Sequence, residues 1–327
     1  MKKLEYKPYD ASLVFIWALL LPLVLSVVIS MCLYGSPTET NEQGNLVYTI
    51  YSETWFLCML RLLSAGLLVG LFFVYNKSKN INGFSACGIK TKVHYLNIAY
   101  AVILGISVCY LLSPFITLIT YGLSLLGLHI PTGIDLPLDN FGYYILSLLL
   151  IGALPAVTEE LIYRGMIFQG LKKWGKWPAI LLSALAFCLM HGNIAQFPYT
   201  FILGTILGYV MWETKALWLC MIIHFFNNTA VITSMYITKQ MGGSSELPAQ
   251  ITTPDILIAV GMMLLAVGLV VLVFYLMKKA NKKSPPQCEK VEQQETCVEV
   301  ANTKTRDIIL LVSGFALAIL FTVIQSI

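Results

Sequence analysis

The sequence predicts an all-α bundle of about eight to nine membrane-spanning helices with its N-terminus in the cytoplasm. Three observations carry this. Of the 327 residues 57% are hydrophobic and only 12% charged, with a mean hydropathy of +0.77, against roughly 25% charge in soluble domains. Apolar runs recur near 12–34, 54–75, 96–120, 142–170, 177–195, 197–212, 216–238, 255–277 and 308–326, most of them close to the ~20 residues that cross a bilayer core. Eighteen of the 21 Lys and Arg precede the first run or follow an even-numbered one, and only Lys239 follows an odd-numbered one. Basic residues collect on the cytoplasmic side. The net charge of +4 therefore reports topology and does not mark a nucleic-acid binder.

The elements follow in order. Lys2 and Lys3 before the first run have the outline of a signal peptide, but the run ends in "MCLYGSPTET" without a small-x-small cleavage site, so it is expected to stay as an anchor. Residues 1–95 then form two helices and a cytoplasmic loop, 96–240 a helical core, and 241–277 an additional spanning helix. The stretch 278–307, rich in Lys, Glu and Pro without apolar period, is expected to be a flexible cytoplasmic linker, and 308–327 a last spanning helix. No period of 20 to 50 residues suggests a repeat. The eight cysteines are no disulfide framework: Cys58, Cys109, Cys188 and Cys220 sit in apolar runs, where cysteine is a small hydrophobe, and Cys288 and Cys297 lie in the reducing linker. "GLLVG" at 66–70 and "GTILG" at 204–208 permit close helix contact, inside the bundle rather than between chains. Pro155 is placed to bend the long fourth run.

"VTEELIYRGM" at 157–166 puts three charges into that run. Each costs about 2.5–3.5 kcal/mol at the centre of a spanning helix, so such groups face protein or water. Glu160 and Arg164 are spaced i, i+4 with the acid first, as partners are. Glu159, about 100° away around the helix, is left as a carboxylate without a local partner.

Depth can be counted from the turns. Glu159 lies 16 residues before Gly175 and His191 16 after it, so in a helical hairpin both stand on the order of 20 Å from the turn. His224 and Asn228 follow the next turn, near Thr214, by 10 and 14 residues, roughly 15 and 21 Å, on one helix face. One glutamate, two histidines and an asparagine thus reach similar height in the membrane.

The ordered set E-E-x-x-x-R (Glu159, Glu160, Arg164), F-x-x-x-H (Phe187, His191) and H-x-x-x-N (His224, Asn228) resembles the CPBP family, the CAAX-processing and bacteriocin-processing intramembrane proteases also called Abi. Its frequent form E-E-x-x-F/Y-R-G is matched through Tyr163 and Gly165. The resemblance covers about 96–240 and implies a glutamate-dependent endopeptidase without a cofactor. Amide hydrolysis needs an activated water, a proton donor for the leaving amine and donors for the oxyanion. Glu159 would be the base, and His191 would orient the water and pass the proton. His224 and Asn228 would stabilise the oxyanion. Glu160, Arg164, Tyr163 and Phe187 would support them, Phe187 by covering the His191 ring.

The same Glu159, His191 and His224 could instead hold catalytic zinc, although no H-E-x-x-H is present. A silent membrane scaffold or immunity protein and a proton-coupled transporter are the alternatives of other classes. The expected partners are the bilayer, in the plasma membrane, and a hydrophobic or membrane-bound peptide or protein, lipidated ones included. Oligomeric state has no sequence signal.

Overall fold

The computed structural model describes residues 5–33, 36, 38–40, 46–48, 53–127, 137–243, 250–287 and 305–326. Each of the nine apolar runs forms a helix, although the helix of the fifth run ends at Met190, short of 195. Helix α1 (Pro8–Cys32) starts on a proline, and the Asp10 carboxylate accepts from the Lys7 N–H at 2.8 Å, which closes the first turn. It is followed by α2 (Thr54–Ser78), a short α3 (Gly83–Ala86) and α4 (Leu96–Leu125). The fourth run is one continuous rod of changing pitch. It comprises α5 (Phe141–Ser147), a π-helical segment (Leu148–Ala153), α6 (Leu154–Ile162), a second π-helical segment (Tyr163–Ile167), α7 (Phe168–Leu171) and a 3-10 turn (Lys172–Trp174). Then come α8 (Lys176–Met190), α9 (Phe197–Thr214), α10 (Leu217–Gln240), α11 (Thr253–Lys283) and α12 (Thr305–Ser326).

Seven of these helices are long and apolar enough to cross a membrane by themselves. The other two runs are α8, with 15 residues, and α9, with 18. About half of each is buried against the bundle, and α8 leaves Trp177 and Leu181 exposed. They lie against each other through Gly204 and Gly208: an added Cβ would come within 3.0 Å of Ala184 Cα at the first and 3.3 Å of Ile180 Cα at the second. The two glycines of "GLLVG", by contrast, meet nothing within 4 Å. Small residues bring helices together only where a partner stands opposite.

The connector after α1 carries a two-stranded antiparallel ribbon, β1 (Thr38–Thr40) with β2 (Leu46–Tyr48), in register Thr38 to Tyr48. The polar sequence there has no apolar helical period. Helix α11 continues to Lys283, past the end of its apolar run, because Lys and Ala are helix formers and the terminal lysines favour the C-terminal dipole. Residues 284–287 then meet the loop after α3, where Lys92 and Gln287 exchange backbone hydrogen bonds of 3.0 and 2.8 Å. Residues 288–304 of the expected linker, with Cys288 and Cys297, lie outside the described residues.

Two polar ties set the frame. Tyr75 OH donates to Asp10 Oδ1 at 2.7 Å and Ser12 Oγ to the Asp307 carbonyl at 3.2 Å, joining α1 to α2 and α12. The α9–α10 turn is held by Thr91, whose hydroxyl donates to the Lys215 carbonyl at 2.8 Å and whose carbonyl accepts from Trp218 Nε1 at 2.9 Å. This fixes the start of α10, the helix that carries His224 and Asn228. The core behind it is built from Tyr163, Met166, Ile167, Ile180, Phe187, Leu207, Cys220 and Ile223, all at most 1% exposed.

Gly204→Val forces Ala184 and Arg164 apart and should cost on the order of 1–3 kcal/mol, read as a lower melting temperature in detergent. Gly66→Ala and Gly70→Ala should leave it unchanged or raise it, since alanine is favoured over glycine in helices by about 1 kcal/mol.

Candidate active site

Glu159 and Glu160 lie on α6 and Arg164 in the second π-helical segment that follows it, and the two glutamates have different surroundings. Glu160 is fully buried. Its Oε1 accepts from Arg164 Nη1 at 2.9 Å and stands 2.9 Å from His224 Nδ1. A carboxylate can only accept, so Nδ1 carries the proton. Arg164, also at zero exposure, donates through Nη2 to the Gly204 carbonyl at 3.2 Å. Its guanidinium lies 4.4 Å from the centre of the Phe187 ring, a cation–π contact in a desolvated place. The i, i+4 pairing expected from the sequence is present, and it extends to α9 and α10.

Glu159 has no such network. Its side chain keeps 16% exposure, and its Oε2, 3.9 Å from His224 Nε2, has no hydrogen-bond partner among the described residues. At 3.9 Å the two atoms interact electrostatically but are not hydrogen-bonded. His224 therefore stands between the carboxylates, bonded to one and facing the other.

His191 is not inside a helix, as the run 177–195 suggested, but caps α8. Gly192 adopts φ +60° and its N–H bonds the Leu189 carbonyl at 3.2 Å, a left-handed helix end that glycine allows at little cost. His191 Nδ1 lies 2.9 Å from the Phe187 carbonyl. A carbonyl cannot donate, so the neutral ring keeps its lone pair on Nε2. Phe187 is 1% exposed, and its ring meets His191 at 5.0 Å, His224 at 5.6 Å and Tyr163 at 5.5 Å, each edge to face. The aromatic ring is thus the common surface on which both histidines rest. Tyr163 is fully buried, with its hydroxyl unpartnered among the described residues.

Asn228 lies one turn past His224, where its Nδ2 donates to the Ile151 carbonyl at 3.0 Å. That uses one of the two amide hydrogens and leaves the other. Its neighbour Asn227, which the sequence reading passed over, is 1% exposed and donates to the Gly105 carbonyl at 3.3 Å and to Tyr199 OH, tying α10 to α4 and α9. An Asn-Asn pair in an apolar helix was the available signal. The Cys188 and Cys220 thiols turn to the backbone carbonyls of Leu185 and Leu207 at 3.2 and 3.4 Å.

Among the described residues no three His, Cys, Asp or Glu side chains gather as a metal site. With each Nδ1 already bonded, a metal here would have to use both Nε2 atoms together with Glu159.

Residues 141–230, from α5 into α10, match the family model described as type II CAAX prenyl endopeptidase Rce1-like. The segment contains all eight residues singled out from the sequence. No curated protein and no solved structure matches the chain.

Arg164→Ala leaves the buried Glu160 charge facing His224 alone and should destabilise the protein by about 3–5 kcal/mol, whereas Glu160→Gln with Arg164→Met removes both charges and should recover much of that. Thermal unfolding in detergent reads both. Equal instability of the two variants would show that the pairing does not hold this site together.

Proposed function

We propose that this protein, whose residues 141–230 form an Rce1-like domain of the CPBP family, uses Glu159 to activate water for peptide-bond hydrolysis within the membrane. The family is one of intramembrane endopeptidases, and the helices make this a multi-pass membrane protein. The observation that carries the finer reading is the contrast between adjacent glutamates. Both Glu160 bonds fall on Oε1, and its Oε2, like Glu159 Oε2, has no partner among the described residues, but Glu160 is sealed at zero exposure whereas Glu159 keeps 16% beside an imidazole. A base must be partly desolvated and unpaired, and Glu159 is both.

In this reading a water on Glu159 Oε2 loses its proton as it attacks the scissile carbonyl. His191, with Nδ1–H fixed on Phe187, accepts a hydrogen bond at Nε2 and so orients the water; the proton that Glu159 takes from the water is then relayed through that Nε2 to the leaving nitrogen as the C–N bond breaks. The second Asn228 N–H and His224 Nε2 face the developing oxyanion, where a donor is worth roughly 10²–10³ in rate. Donation from Nε2 requires the doubly protonated imidazolium, which would stand between the carboxylates of Glu160 on Nδ1 and Glu159 facing Nε2. Glu160 and Arg164 hold His224 in place.

The substrate is a hydrophobic or membrane-associated peptide or protein, and the family description makes a prenylated CAAX peptide the first to test. The basic residues support a plasma-membrane orientation with the N-terminus in the cytoplasm and the C-terminus outside.

The purified protein in liposomes should cleave such a peptide, and Glu159→Gln should lose at least about 10²-fold in turnover with its melting temperature kept. Near-normal cleavage by that variant would refute the assignment. If the peptide is not cut, comparison of membrane proteomes with wild type and Glu159→Ala should reveal a cleavage that disappears. Chelators should leave the rate unchanged; zinc lost and regained in step with activity would favour the metalloprotease alternative.

A further inference from the structure

The Asn228 amide is held by a backbone acceptor. The Ile151 carbonyl bonded by Asn228 Nδ2 belongs to the first π-helical segment, just before α6. In an α-helix this carbonyl would receive the N–H of the residue four positions on, which is Pro155. Proline has no N–H. In the π pattern the donor would instead be Ala156, five positions on, but the chain has returned to α pitch from Leu154, where that N–H is directed at the Gly152 carbonyl.

We infer that Pro155 is a positioning residue for Asn228: the N–H it lacks leaves the Ile151 carbonyl to the Asn228 amide, which is thereby locked in one orientation. The lock is chemical. Turning the amide over would set its oxygen against the Ile151 oxygen, two acceptors without a proton between them. With Nδ2 held there, one N–H positions the side chain and the other is left for the reaction. The arrangement repeats what His191 does with Nδ1 on the Phe187 carbonyl, so two reacting side chains are each aimed by a backbone oxygen. The inference rests on the oxyanion role proposed for Asn228 in its activity arm alone; the coupling between Pro155 and Asn228 stands on geometry.

The test is a cycle of Pro155→Ala, Asn228→Ala and the double variant, each as the full chain in detergent or liposomes. Pro155→Ala supplies an N–H for the Ile151 carbonyl and removes proline from the rod, so its melting temperature should hold or rise. Its kcat on the prenylated CAAX peptide should fall roughly 10- to 100-fold with little change in KM, less than the ~10²–10³ of losing an oxyanion donor outright. Asn228→Ala strands the carbonyl and should melt lower. In the double variant the new N–H serves that carbonyl, so the melting temperature should recover, and kcat should be no lower than for Asn228→Ala alone. Additive melting shifts, a collapse of Pro155→Ala, or kcat losses that multiply would overturn the inference. Multiplying losses would instead trace the effect to the register of Glu159. Glu159→Gln is the control. If it cleaves normally, the protease reading fails, while the melting cycle still decides the coupling.

Discussion

One carboxylate oxygen organises the site. Glu160 Oε1 takes both Arg164 Nη1 and His224 Nδ1 at 2.9 Å, out of contact with water. A bare charge at that depth would cost far more than the fold can spare, and a simple ion pair would barely offset its own desolvation. The additional bonds make it tolerable. Arg164 also reaches the Gly204 carbonyl on α9 and the Phe187 ring on α8, and His224 brings in α10. Four helices are therefore tied to a single acid, which accounts for the close approach of α8 and α9 at Gly204.

That arrangement assigns different chemistry to neighbouring glutamates. In an α-helix adjacent residues point about 100° apart, so "EE" sends one carboxylate into the network and the other past it. Glu159 keeps a free oxygen and some exposure next to the imidazole that Glu160 holds. In the proposed mechanism, structural and reactive roles are separated by one position in the chain. The π-helical segments on both sides of α6 belong to the same problem, since widened turns free backbone groups and reorient side chains within a rod that must still cross the membrane.

Much of this was legible in the sequence, and the limits have physical causes. Length and hydropathy located all nine helical runs, and the i, i+4 rule found the Glu160–Arg164 pair, because both depend on local spacing. Counting residues from Gly175 and Thr214 brought Glu159, His191 and His224 to similar height, since antiparallel hairpins conserve height. The Glu160–His224 bond was not readable, because rotation of α10 about its own axis is set by packing. Nor was the end of α8 at His191, where apolar composition runs on but Gly192 turns left-handed. Run length did not distinguish α8, with 15 residues, and α9 from the seven helices long and apolar enough to cross a membrane by themselves. The ribbon at 38–48 lies in a polar connector where neither period is expressed.

The central claim is that Glu159 acts on water and not directly on the substrate. A single turnover in oxygen-18 water, read by mass spectrometry of both product and enzyme, tests it most directly. Water activation predicts one labelled oxygen in the new C-terminal carboxylate of the product and no label in the peptide that contains Glu159. Label entering the Glu159 carboxyl, or an unlabelled product from the first turnover, would mean that Glu159 attacks the carbonyl itself, and would contradict this account.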